Sequence, residues 1–209
     1  EAVNIAMQIL SKEFVCAQDI EELKDSSWLQ SHRCSFDMLG EASRNQLQSD
    51  AYFESYLRAI NSIGEINSAH GLSNGISIKL SALYSKYDAL HEREVKNFLL
   101  PKLRDLVIEA SVKDVPVTID AEEQDRLSLS LSLIEDLALD PVIKNWPKLG
   151  LAVQAYGKRS LQVIEYLGQL AQQRNTIHVR LVKGAYWDYE IKNAQVKGLK
   201  GYPVFTNKK

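Results

Sequence analysis

Several polar side chains end or interrupt apolar runs in the second half of this 209-residue chain. Lys79 follows Ile76–Ile78, Asp120 follows Val117–Ile119, and Gln154 follows Leu151–Val153. Arg180 stands inside Ile177–Val182, the run IHVRLV. A desolvated lysine either pairs with an acid or loses its proton and acts as a base or nucleophile. Asp120 can supply that acid from a neighbouring strand. Gln154 offers both a donor and an acceptor, which suits the edge of a heterocyclic ring. Arg180 keeps its proton, so it can hold an anion or stabilise negative charge forming on a cofactor. Lys183 and Gly184 open a loop able to bring backbone donors to a phosphate. Tyr186 and Trp187 can pack on a flat ring.

Plainer readings stand beside these. Lys79 and Asp120 can form a structural ion pair, Gln154 can bond a nearby loop, and the two aromatics can simply pack. Glu122, Glu123 and Asp125 read as exposed acids, favoured at a helix N-terminus by the dipole. No second acid is expected at another strand end to face Asp120, so glycoside hydrolysis is not indicated.

The elements that position these residues alternate. Strands are expected over Gly75–Leu83, Pro116–Glu123, Leu149–Tyr156 and Ile177–Ala185, the last with Val179, Leu181 and Val182 buried. Helices are expected over Glu92–Lys113, Arg126–Leu139, Ser160–Gln173 and Tyr189–Val196. The stripe of the first includes Val95, Phe98, Leu99, Leu103, Leu106, Val107 and Ala110, with Pro101 interrupting it. Tyr202–Thr206 reads as a short fifth strand. Single helices between strands imply parallel pairing through right-handed crossovers. That pattern fits a doubly wound sheet or an eightfold barrel. No GxGxxG loop follows the first strand. Polar residues instead recur at the C-terminal ends of successive strands, where a barrel builds its site. The fold expected is α/β, a (βα)8 TIM-like barrel that is incomplete here. About four to five βα units follow N-terminal helices, and about eight close a barrel.

Residues 1–70 read as a helical lead-in and residues 71–209 as the first half of the barrel. Helix is expected from residue 1 to about residue 30, from the spacing of Val3, Ala6, Met7 and Leu10. A second helix is expected from an N-cap at Ser49 to about Gly64, with Tyr52, Tyr56, Ala59, Ile60 and Ile63 on one face. Between them, Asp37 and Glu41 are acids spaced one helical turn apart. With 45% hydrophobic and 25% charged residues, the chain can bury a large core. A net charge of −2 calls for neither nucleic acid nor an anionic membrane as partner. No apolar run is long enough for a membrane span, and Cys16 and Cys34 lack metal-ligand spacing. A reducing, cytoplasmic setting follows.

The motifs GISIKLSAL, IDAEEQDRLSLSL, VQAYGKR and RLVKGAYWDYEIKNAQ fall in one order along the chain. Together with SFDMLGEAS before them, they resemble the proline dehydrogenase domain of bacterial proline utilization A flavoenzymes. The resemblance runs from Phe14 onward. It implies a distorted (βα)8 barrel that binds FAD and oxidises L-proline to Δ1-pyrroline-5-carboxylate, the first step of proline catabolism to glutamate. It also implies roles for residues. Lys79 would bind the proline carboxylate, and Asp120 would pair with cations in the pocket. Gln154 would meet the flavin ring, and Arg180 would lie beside flavin N5. Lys183, Gly184, Ala185 and Trp187 would contact FAD. Tyr186 would line the proline site, and Glu41 would belong to its gate. Two departures matter. Many members read SALHPRY where this chain has SALYSKY (Ser81–Tyr87). The family's later strands, which carry further FAD contacts, and its last helix, which carries an arginine pair for the proline carboxylate, are not in this sequence. The polypeptide is therefore expected to be inactive alone. The implied partners are the remainder of the barrel, an aldehyde dehydrogenase domain in the parent protein, and a quinone acceptor at the inner membrane surface.

Two other readings use the same residues. One is an aldolase-type barrel in which Lys79 forms a Schiff base. The other is a non-catalytic barrel with a structural charge network. Hydride transfer from proline requires a neutral ring amine, so activity should rise with pH.

Overall fold

The computed structural model describes residues 15, 17, 20–24, 29, 32–38, 40–174 and 176–207. The helix expected at the very N-terminus lies mostly outside these residues, and Ile20–Leu23 form one 3-10 turn. Five strands follow: β1 (Ser35–Asp37), β2 (Gly75–Ile78), β3 (Val117–Ile119), β4 (Leu149–Gln154) and β5 (His178–Val182). The helices are α1 (Gln46–His70), α2 (Leu80–Leu83), α3 (Glu92–Val112), α4 (Leu127–Ala138), α5 (Ser160–Arg174) and α6 (Trp187–Val196). The strands lie in chain order, β1-β2-β3-β4-β5, and every neighbouring pair is parallel. A doubly wound sheet reverses its order at a switch point. This sheet never reverses, so it winds one way, as a barrel wall does.

The sheet also curls. Strands are spaced about 4.8 Å apart, so β1 and β5 would lie about 19 Å apart in a flat sheet. Yet Arg180 on β5 donates to Ser77 Oγ on β2 at 2.8 Å and to Ser35 Oγ on β1 at 3.4 Å. One side chain meets both only across a concave face.

The outer face packs against helices. α1 buries Tyr56, Ala59, Ile60 and Ile63, and α3 buries Val95, Leu99, Leu103, Leu106, Val107 and Ala110. Phe98, expected in that stripe, is 58% exposed and stacks on Tyr84. Pro101 lies inside α3 without ending it. α1 is longer than its sequence suggests at both ends. Its N-cap is Asn45, whose side chain accepts from Gln48 N at 2.9 Å. Ser49 is interior, and its hydroxyl donates to Ser43 Oγ. Gly64 does not end the helix: it is the contact point with α3's C-cap, where a Cβ would come within 2.9 Å of Lys113 Cβ. The helix runs on to Gly71, whose φ of 64° supplies the left-handed cap.

Further differences concern the sheet. SFDMLGEAS contributes the strand β1, whose Asp37 is in register with Ser77. Residues on both sides of position 70 thus share one sheet and one core. β2 stops at Ile78, because Lys79 N donates to Tyr56 Oη at 3.1 Å and Lys79 caps the single-turn α2. β5 pairs with β4 alone among the described residues, and Val179 and Leu181 are 43% and 61% exposed where burial was expected. Tyr202–Thr206 adds no parallel strand: Val204 forms one antiparallel bridge with Gly157.

Candidate functional site

Register brings the polar strand ends together. Ile78 pairs with Ile119, Ile119 with Leu151, and Leu151 with Val179. The next residues, Lys79, Asp120, Ala152 and Arg180, therefore form one layer. Ala152 is the small member. It leaves room for the Arg180 guanidinium to pass over β4 and reach Asp120 on β3. Gln154, expected in the same layer, sits one step higher, opposite Val182.

The layer carries alternating charge. Arg180 Nη2 is hydrogen-bonded to Asp120 Oδ1. Asp120 Oδ2 lies 3.3 Å from Lys79 Nζ, which is also bonded to Asp37 Oδ1. Asp37 is thus a second acid at a strand end, and the expectation that Asp120 has no such neighbour is overturned. Three residues of apolar-polar alternation are too few to announce a strand, so the placement of Asp37 was hidden in the sequence.

The charges tune one another. Burial disfavours the Lys79 ammonium, but ion pairing with Asp37 and Asp120 outweighs it and raises its pKa. Burial raises Asp120, while Lys79 and Arg180 pull it back. Lys79 is therefore an ammonium, held between carboxylates, and not a poised nucleophile. Arg180 has an Nε that is buried with no hydrogen-bond partner. An unmet buried donor costs about 1–3 kcal/mol.

Above this layer, the turn after β5 is stitched to β4. Gln154 is 4% exposed and donates to Glu122 O at 2.7 Å. Its Oε1 accepts from Tyr156 Oη at 2.5 Å and from Ala185 N at 3.3 Å. Tyr156 Oη also accepts from Tyr186 N at 2.9 Å. Burial pushes the Tyr156 phenol up to about 12, so it stays a donor at neutral pH. Gly184 has φ 111°, and a Cβ there would lie 2.1 Å from Tyr156 Cε1. The glycine is needed for its backbone and for the ring packed on it. Lys183 and Ala185 are exposed on either side.

Tyr186 ends this turn and precedes α6. Its hydroxyl donates to Glu41 Oε2 at 3.1 Å, joining the loop after β5 to the loop after β1. Burial, then the nearby carboxylates Glu122 and Glu41, raise its pKa. The Trp187 indole N–H donates to Phe205 O at 2.9 Å. Glu122, expected to be exposed, has a side chain only 5% exposed. It accepts from Ser81 N at 3.0 Å and faces Arg126. Burial raises its pKa. Ser35, Ser77 and Tyr156 also belong to the site, although their types carry no signal of chemistry.

Known proteins resemble this chain in sequence and fold. The family model described as proline dehydrogenase matches residues 16–209. The bifunctional protein PutA of Escherichia coli (strain K12) is 44% identical over 214 residues, covering 100% of this chain and 16% of that protein. Proline dehydrogenase 1 of Bacillus subtilis (strain 168) is 30% identical over 152 residues, 73% of this chain and 43% of that protein. The crystal structure of proline utilization A from Bdellovibrio bacteriovorus, inactivated by N-propargylglycine, is similar with a TM-score of 0.89 at 28% identity. That match covers 99% of this chain and 23% of that chain. The chain thus spans 16% of the length of the first curated relatives it matches. By the extent of the family match and by these relatives, the chain belongs to the proline dehydrogenase family.

Proposed function

We propose that this chain forms part of the site at which L-proline is oxidised to Δ1-pyrroline-5-carboxylate with FAD as cofactor. The observation that carries the reading is the layer itself: Lys79 and Arg180 are two cations held by one half-buried carboxylate, Asp120. An amino-acid substrate has a carboxylate to bind, and a hydride acceptor gains negative charge. The layer can meet both needs with groups that stay protonated.

The residues fit a flavin. Arg180 Nε is a buried donor without a partner. Gln154 Nε2 uses one hydrogen on Glu122 O and has a second to offer. The turn Lys183–Ala185 lies beside Gln154, with Ala185 N donating to Gln154 Oε1. When bound, the flavin would supply the two-electron acceptor that no side chain here can provide. Arg180 would hold negative charge without a proton transfer. Lys79 would hold the proline carboxylate, Asp120 would keep both cations in place, and Tyr186, fixed by Glu41, would wall the substrate. Trp187 would support the turn through its bond to the 202–206 segment, rather than by stacking on the cofactor.

The parent protein supplies the rest in this reading: the remaining strands of the barrel, and an aldehyde dehydrogenase domain consistent with relatives described as bifunctional. We place it in the cytoplasm, passing electrons to a quinone at the inner membrane surface. Among the described residues no helix is long and apolar enough to cross a membrane. The imine alternative is disfavoured by the raised pKa of Lys79.

The parent protein should show flavin absorbance and proline-dependent reduction of a dye, rising with pH as the proline amine loses its proton. K79M should raise KM for proline while leaving the flavin bound. A colourless protein without proline-dependent dye reduction would overturn the reading.

A further inference from the structure

Lys79 is the one ammonium in the layer, and it already has two carboxylate partners, Asp37 and Asp120. The two are not equivalent. The Asp120 side chain is 13% exposed and is shared with Arg180. The Asp37 side chain is 54% exposed and is bonded to Lys79. Together Asp37, Lys79, Asp120 and Arg180 sum to zero charge. A substrate carboxylate added beside Lys79 would be a third anion on one partly buried ammonium, which is unfavourable. The crowding at the cation is relieved if one resident carboxylate leaves. Asp120 cannot leave without stranding Arg180. Asp37 can turn into water at little desolvation cost, because it is half in water already.

We propose that Asp37 occupies Lys79 in the empty site and is displaced by the carboxylate of the incoming substrate, so that Asp37 sets the affinity of the site for carboxylate ligands. Asp37 is a positioning residue in this scheme. It holds the ammonium in place and protonated, then yields it. The inference rests on the proposed function in taking Lys79 as the carboxylate-binding cation.

The test needs no turnover. Calorimetric titration of the full-length parent protein with cyclopentanecarboxylate, a ring carboxylate that cannot be oxidised like proline, measures Kd directly. D37N should bind about threefold to fivefold more tightly than wild type, the range expected for releasing an exposed ion pair. D37E should restore the wild-type Kd. D37S serves if D37N does not fold, with the same tightening expected. D188N removes an equal charge from the exposed first turn of α6, at a residue with no part in the site, and should change Kd less than twofold. Unchanged or weaker binding in D37N overturns the proposal, because a merely structural partner of Lys79 would give that result. Equal tightening in D188N overturns it too, by reducing the effect to general field. Absence of binding in both wild type and D37N also overturns it. Failure of proline oxidation with tightening intact would instead remove only the assigned reaction.

Discussion

Gly184→Ala tests whether the turn after β5 is built as described. The residue has φ 111°, a conformation that strains a residue with a Cβ by about 1–3 kcal/mol. The added methyl would stand 2.1 Å from Tyr156 Cε1 and 2.5 Å from Cζ, so the ring must move. That ring anchors two hydrogen bonds, to Gln154 Oε1 at 2.5 Å and from Tyr186 N at 2.9 Å. Losing both costs about 2 kcal/mol more. The sum is about 3–5 kcal/mol, confined to the 154–186 region. Native-state hydrogen exchange of the parent protein, read by mass spectrometry, reports such local openings. Protection of the 183–186 backbone should fall by about a hundredfold or more, at tenfold per 1.4 kcal/mol. In a Y156A background the clash disappears and only the backbone strain remains. The two changes should then couple by about 2 kcal/mol. Protection within threefold of wild type in G184A would refute the reasoning, as would an identical loss in both backgrounds.

The remaining expectations concern charge. R180M should lower kcat for proline oxidation about 10²–10³-fold in the parent protein, through loss of a fixed cation facing developing negative charge, with flavin content measured as a control; a change under threefold would refute that role. Borohydride reduction in the presence of carbonyl compounds should leave Lys79 unlabelled by peptide mass, because its pKa lies above the ordinary lysine value; a reduced adduct would revive the imine reading. Glu190 is 2% exposed and accepts from Gln124 N at 2.7 Å, with a pKa raised mainly by burial. A raised carboxyl contributes its full stability below the unfolded value, and loses it as pH climbs through the folded one. E190Q should therefore match wild type at acid pH and gain on it toward neutrality in denaturant unfolding; a gap independent of pH would be contrary. R174M should strand the carbonyls of Ala138, Ile143, Trp146 and Thr176 that Arg174 caps. A loss of about 3–5 kcal/mol in unfolding is expected.

The hydrophobic periods of α3, α4 and α5 located these helices to within a residue or two, because each buries one continuous stripe. Helix ends were less legible. Ser49 and Asn45 are both good caps by type, and only packing against Ser43 places Ser49 inside. Gly64 looks like a stop in one dimension and is a contact point in three. β1 was invisible because three residues carry no period. The buried character expected for β5 came from its composition, whereas its exposure depends on which neighbours cover it.

By itself the sequence determined the alternation of strands and helices, and the residue types at the strand ends: Lys79, Asp120, Gln154 and Arg180. Those are local properties, set by apolar spacing and by the scarcity of buried cations. Only the tertiary structure decided which of them meet. Parallel register puts Lys79, Asp120 and Arg180 in one layer and lifts Gln154 above it. Pairing of β1 beside β2 brings Asp37 to Lys79, and curvature of the sheet brings Ser35 and Ser77 to Arg180. Loop closure sets Glu41 against Tyr186 across 145 residues of chain. Charge interactions fall off over a few ångströms, while the residues that make them are dozens of positions apart. The identity of the charges is therefore written along the chain, but their pairing, and the protonation that pairing imposes on Lys79, exists only once the strands have paired.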